Sequence, residues 1–362
     1  MKYVDEFRNK NKIQKLGRMI REIAPSRDIN LMEVCGTHTQ SFFRFGLDKI
    51  LPPQIKLIAG PGCPVCVSTQ GFIDSAIALA GTKDMVILSF GDMLRVPGTS
   101  STLEKERARS GNIRVVYSPL DCLSIARLNP RKRIVFLAVG FETTASTIAF
   151  AISQAKKEKL KNLFFLSSLK LIPPAMEYLV RDKRLRLDGF LCPGHVSVII
   201  GTKAYEFLVK KYGIGCCVAG FEPSDILEGI YALLRQIASK KPGLDNQYER
   251  AVTFSGNRKA LDMMKWVFKV EDASWRGLGS IPKSGLALRE EFSGLDAVKE
   301  FSLKIKDRSA GRSLGCRCGD VLKGLISPKA CPLFAKICSP DNPVGPCMVS
   351  SEGACYAHYK YR

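Results

Sequence analysis

The chain has 362 residues, 46% of them hydrophobic and 25% charged, with a formal net charge of +21. That length suits two or three domains with real cores, and no apolar run approaches the ~18 residues of a membrane span. The basic residues are scattered in short patches, such as 131–133, 156–159 and 181–186, without interleaved aromatics. They describe solvated helix ends and loops, so neither a nucleic acid nor a membrane is expected as a partner.

The first fifteen residues carry no apolar core and no small-residue cleavage site, so a cytoplasmic location is expected. In a reducing compartment the 13 cysteines are better suited to metal binding or thiol chemistry than to a disulfide framework. Six of them crowd between Cys316 and Cys355.

Taken in chain order, short β-rich runs fall at 31–34, 55–59, 85–89, 113–117, 134–139, 163–166, 189–191 and 216–219. Helical patterns intervene, among them 144–157 and 223–239. This rhythm predicts an α/β fold: two Rossmann-like domains with parallel sheets covered on both faces, plus a loop-rich third region. The two stretches VGFETTASTIAFAI (139–152) and AGFEPSDILEGIYALL (219–234) echo each other. They place a join near Pro130. The expected division is residues 1–130, 131–240 and 241–362.

The unusual residues recur just after strands: CGTHT (35–39), GPGCPVC (60–66), FGDMLRVPG (90–98), GFETT (140–144), CPGHVS (192–197) and GFEP (220–223). In open α/β sheets ligands bind beyond the carboxyl ends of strands, so these motifs are expected to face a common cleft. Cys35 and His38 pair a thiol with an imidazole at a helix start, where the helix dipole lowers a thiol's pKa. The alternative is a buried cysteine beside a capping histidine. Cys63 and Cys66 have the spacing of a redox dithiol, and a dithiol cycling with a disulfide is the local reading. Zinc is weaker there, because no second CxxC stands at a suitable spacing. Glu142 and His195 form a candidate acid–base pair, with Glu222 as the echo of Glu142; helix capping is the competing role for each glutamate. The tail cysteines Cys316, Cys318, Cys331, Cys338, Cys347 and Cys355 have wide, irregular spacings, which favour an iron–sulfur cluster over a zinc ribbon. Cys122, Cys192, Cys216 and Cys217 suit the core.

Together MEVCGTHT, GPGCPVC, GFETT, CPGHVS, GFEP and CRCGDVLKG…CPLF…C…PVGPCMVSSEGAC resemble the hydrogenase maturation factor HypD family, from about residue 30 to the C-terminus. The resemblance implies a scaffold on which the Fe(CN)2CO group of [NiFe] hydrogenases is assembled. It implies HypC as partner, cyanide from HypE with HypF upstream, and delivery to the hydrogenase large-subunit precursor through HypC. It also implies that Cys35 binds the iron with His38 nearby, and that Cys63 and Cys66 exchange electrons with a [4Fe–4S] cluster. The cluster ligands it implies are Cys316, Cys331, Cys338 and Cys355, with Cys318 and Cys347 as substitutes. Such a path requires the folded tail to lie near Cys63 and Cys66. A ferredoxin-linked thiol–disulfide oxidoreductase is the competing function; an additional iron-binding thiol at Cys35 separates the two.

Overall fold

The computed structural model describes residues 5–109, 111–305 and 315–362. Its strands are β1 (Ile29–Glu33), β2 (Ile55–Ala59), β3 (Met85–Ser89), β4 (Ile113–Val115), β5 (Arg133–Gly140), β6 (Leu163–Leu169), β7 (Gly189–Pro193), β8 (Gly215–Ala219), β9 (Leu244–Asn246), β10 (Phe268–Trp275) and β11 (Gly279–Leu288). All eight runs expected from the sequence are strands. The fold is α/β, with two parallel sheets.

The first sheet has the order β2-β1-β7-β8-β9 and the second β4-β3-β5-β6. Every neighbouring pair in both is parallel. Strands β3 and β7 are buried along their whole length, as is β5 beyond Arg133. Covering by helices on both faces explains their continuous apolar runs.

The strands do not divide at residue 130. Strands β3 and β4 lie before it, yet share the second sheet with β5 and β6. The chain then returns, and β7 pairs with β1, Leu31 opposite Gly189. Pairing follows the burial of strand faces, not closeness in sequence, and β1 has two edges to satisfy. The GFETT and GFEP echo does fall once in each sheet, after β5 and after β8.

The third region is also more ordered than its composition suggests. Strand β9 closes one edge of the first sheet. Strands β10 and β11 form an antiparallel hairpin with a register shift between Glu271 and Ala273. The hairpin covers the exposed edge of the second sheet: Leu171 N–H donates to Ser284 O at 2.9 Å, and Ser167 Oγ to Leu286 O at 2.9 Å. An edge strand left open invites pairing with other chains. Trp275 anchors the hairpin, stacked on Phe141 at 5.9 Å, with its indole N–H on Ser284 Oγ at 2.8 Å. One continuous apolar cluster then joins both sheets to the tail, including Met32, Val139, Phe190, Trp275 and Met348.

Each sheet has a switch point, where consecutive connections diverge: between β1 and β7 in the first, and between β3 and β5 in the second. Ligands collect at such crevices. At the first, the loop after β2 lies directly on the loop after β1. Gly36 N–H donates to Gly62 O at 3.0 Å. A Cβ on Gly62 would stand 2.1 Å from Cys35 N and 2.2 Å from Val34 C, so only glycine fits. Gly62→Ala should therefore cost about 1–3 kcal/mol of overpacking, read as a fall in thermal midpoint. Gly81→Ala, whose new Cβ meets only Ala78 O at 3.6 Å, should change it far less. Equal shifts would show that the contact between the two loops is not tight.

Candidate functional site

Glu33 ends β1 and points its carboxylate back at the next turn. Cys35 N–H donates to Glu33 Oε2 at 2.8 Å, and Thr39 Oγ1 donates to Glu33 Oε1. Cys35 is the N-cap residue of the helix Gly36–Arg44, and its carbonyl accepts from His38 N–H at 2.9 Å. From the tail, Glu352 Oε1 accepts from Thr37 Oγ1 at 2.6 Å. Two carboxylates thus brace the first turn.

Their effect on Cys35 reverses what its helix-start position suggests. Burial first, then the Glu352 and Glu33 charges, push the Cys35 thiol up to about 12. Burial likewise pushes the Glu33 carboxyl up to about 8. Desolvation outweighs the helix dipole here because the thiol lies inside the fold, only 7% exposed.

His38 is fully buried. Its Nε2–H donates to Gly220 O at 2.9 Å, with Ala219 O at 3.2 Å. Carbonyls only accept, so this nitrogen carries the proton and Nδ1 keeps its lone pair. That Nδ1 has no hydrogen-bond partner among the described residues. Burial holds the imidazole down to about 4, so it is neutral. Phe221 lies between the two histidines, 4.9 Å from His38 and stacked on exposed His195 at 4.0 Å.

The expected pairing of His195 with Glu142 is not formed: no hydrogen bond or ion pair links them among the described residues. His195 follows β7 of the first sheet, whereas Glu142 follows β5 of the second. Glu142 is buried; its Oε1 accepts from Ile172 N–H at 3.0 Å, and its Oε2 has no partner among the described residues. Burial pushes it up to about 7. Glu222, its echo, is structural. It caps the helix Pro223–Ser239 in a capping box with Asp225 and ion-pairs with Arg8.

Cys63 caps the short helix Pro64–Val67, with Pro64 in the first turn, where a missing N–H costs nothing. The Cys63 and Cys66 sulfurs are 2.6 Å apart, and Cys66 N–H reaches Cys63 Sγ at 3.3 Å. Both thiols are buried, not presented at the surface. Burial pushes the Cys66 thiol up, contrary to a thiolate-favouring helix start.

The tail does lie against this pair. Cys66 Sγ is 3.9 Å from Pro346 O, the residue before Cys347, and the Cys66 and Cys347 thiols interact electrostatically. Beyond Cys347, all six tail cysteines line one small cavity with Leu333, Phe334, Gly345 and Met348. A Cβ at Gly345 would stand 2.6 Å from Cys316 Sγ. Among the described residues, no three His, Cys, Asp or Glu side chains are drawn together tightly enough to hold a metal ion as they stand. Cys122, Cys192, Cys216 and Cys217 are fully buried core residues, as expected.

The family model HypD, described as "Hydrogenase formation hypA family", matches residues 11–362. The chain belongs to the HypD family. The hydrogenase maturation factor HypD of Azotobacter vinelandii is 44% identical to it over 369 residues, covering all of this chain and 97% of the relative. HypD of Escherichia coli K12 is 40% identical over 369 residues, covering all of this chain and 98% of the relative. The hydrogenase expression/formation protein HupD of Azotobacter chroococcum is 44% identical over the same span. Like these HypD relatives, the chain is a hydrogenase maturation factor. Among its described residues no helix is long and apolar enough to cross a membrane.

Two residues of this HypD site escape a reading of the sequence: Glu33 and Glu352. For Glu33 a signal existed, a lone carboxylate ending an apolar strand. For Glu352 there was none, because its partner Thr37 lies 315 positions away in the chain.

Glu142 supplies a pH test of the second sheet's switch point. Its folded pKa lies above the ordinary 4.5, so it favours the folded state below that value. The contribution is lost as pH rises through about 7. Glu142→Gln keeps the acceptor for Ile172 N–H but cannot ionise. The stability of the variant relative to the parent should therefore rise between about pH 5 and about pH 8, by on the order of 3 kcal/mol. Urea denaturation at both pH values measures it; a pH-independent difference contradicts the buried carboxyl.

Proposed function

We propose that this maturation factor is the scaffold on which iron receives its CO and cyanide ligands to become the Fe(CN)2CO group of [NiFe] hydrogenases. The observation that carries the reading is a succession of cysteine-bearing segments packed one on the next. The Cys35 backbone abuts Gly62, the Cys63 and Cys66 sulfurs follow 2.6 Å apart, Cys66 Sγ lies 3.9 Å from Pro346 O, and the adjacent Cys347 lines the six-cysteine cavity.

Iron is the cargo, bound by Cys35. A low-spin iron carrying CO and cyanide is soft and suits a thiolate. A buried thiol held as high as that of Cys35 stays protonated until a cation arrives, and metal binding then releases the proton. Glu33, which accepts from the Cys35 N–H, and Glu352, which accepts from Thr37, set two carboxyl groups around the turn that carries the thiol. The partners in this reading are HypC, which completes the iron site, HypE as cyanide donor with HypF upstream, and the hydrogenase large-subunit precursor, reached through HypC.

The donor set of the cavity suits a thiolate-bound cluster: six sulfurs in apolar surroundings are more than four ligand places require. Cys316, Cys331, Cys338 and Cys355 would hold it, with Cys318 and Cys347 as substitutes. A [4Fe–4S] cluster supplies electrons one at a time. Cys63 and Cys66 form the two-electron partner, and their burial keeps water and diffusible thiols away.

Infrared spectra of the protein purified with HypC test the reading. CO and cyanide stretches are expected, and their absence while hydrogenase maturation proceeds would sink it. In the same complex Cys35→Ala should lose the iron and those bands while keeping the brown absorption of the cluster. Loss of both together would make Cys35 a structural residue or a cluster ligand.

A further inference from the structure

The turn of the β10–β11 hairpin reaches the junction between the dithiol and the cysteine cavity. Gly277, at φ +80°, packs on the tail backbone: a Cβ there would lie 2.6 Å from Gly319 Cα, one residue beyond Cys318. Next to it, Arg276 N–H donates to Val67 O at 2.9 Å, at the end of the Pro64–Val67 helix. The guanidinium turns the other way, and Nη1 donates to Pro97 O at 2.8 Å. On the opposite side of the turn, Tyr178 Oη donates to Leu278 O at 2.9 Å. The arginine is thus pinned on three sides. The arginine is half-buried there, and its charge interacts with Cys318, Cys347 and Cys316, and with Asp74.

A guanidinium remains charged at any working pH. Its Nη1 donates to the Pro97 carbonyl, which is neutral, and the one carboxylate it feels, Asp74, is already held by the N–H and Oγ1 of Thr99. In a partly desolvated place that charge acts more strongly than it would in water. A cluster held by four thiolates is already anionic, and reduction adds one more negative charge. Net charge around a cluster is one of the quantities that set its potential.

We propose that Arg276 sets the reduction potential of the cluster, its fixed positive charge favouring the reduced form. The inference rests on the cluster reading above. It makes Arg276 a positioning residue for charge, not a ligand: the electron enters the cluster, and the arginine neither gains nor loses one.

The test is an electron-paramagnetic-resonance titration of the anaerobically purified full-length protein with dithionite, beside iron and acid-labile sulfide content. In Arg276→Gln the ratio of reduced to oxidised cluster at a fixed poise should fall about tenfold, equivalent to about 59 mV for one electron. Arg276→Lys keeps the charge and should recover most of that shift. A Gln variant with an intact cluster and an unchanged potential overturns the proposal. So do equal shifts in Gln and Lys, which would assign the effect to packing, and a Gln variant that holds no cluster, which would make the arginine structural. Parent protein without iron and sulfide is a separate result: it removes the cluster reading itself.

Discussion

Two backbones in contact organise the site. The loop after β2 lies on the loop after β1, closed by the hydrogen bond from Gly36 to Gly62 and possible only because Gly62 has no side chain. Parallel pairing of β1 with β2 brings both loops to one edge of the sheet, and the missing Cβ lets them touch. Cys35 and the Cys63–Cys66 helix thereby become neighbours without any bond between their side chains. The tail completes the arrangement from the other side, through Glu352 on Thr37, Ser350 on Asp92 and Pro346 beside Cys66. Loss of that backbone contact would separate the Cys35 thiol from the sulfurs that the tail presents.

The electrostatics of the site share one theme. Burial raises the thiols of Cys35 and Cys66 and the carboxyl of Glu33, and it lowers the imidazole of His38. Each shift moves its group toward neutrality. Glu33, Cys35 and His38 are thus held near neutrality inside the fold. Arg276 is the exception, a retained charge placed where the dithiol helix meets the tail.

The strands and their terminal motifs were legible because parallel strands buried on both faces are continuous apolar runs, and the motifs interrupt them with Gly, Pro, Cys and His. Which strand belongs to which sheet was not legible. Nothing in the segments Ile29–Glu33 and Gly189–Pro193 announces that they pair, and so the division at 130 and the pairing of Glu142 with His195 both failed. The hairpin Phe268–Leu288 was hidden by a bulge and by its many exposed polar residues; its burial comes from docking on the second sheet. The thiol states were misjudged for a related reason. A helix start is a local feature, whereas the desolvation that outweighs it depends on tail residues more than 250 positions away.

The return of the chain to its first sheet has a consequence for biosynthesis. Strands β1 and β2 leave the ribosome early, but β1 lacks a neighbour on its other edge until residue 189 has emerged, and the second sheet must be spanned in between. Closing so long a loop makes pairing slow and leaves a strand edge open to other chains meanwhile. Glu352, which braces the first turn after Cys35, follows Thr37 by 315 positions. The Cys35 thiol therefore stands in its finished surroundings only after that long stretch has been made and folded back onto the first sheet.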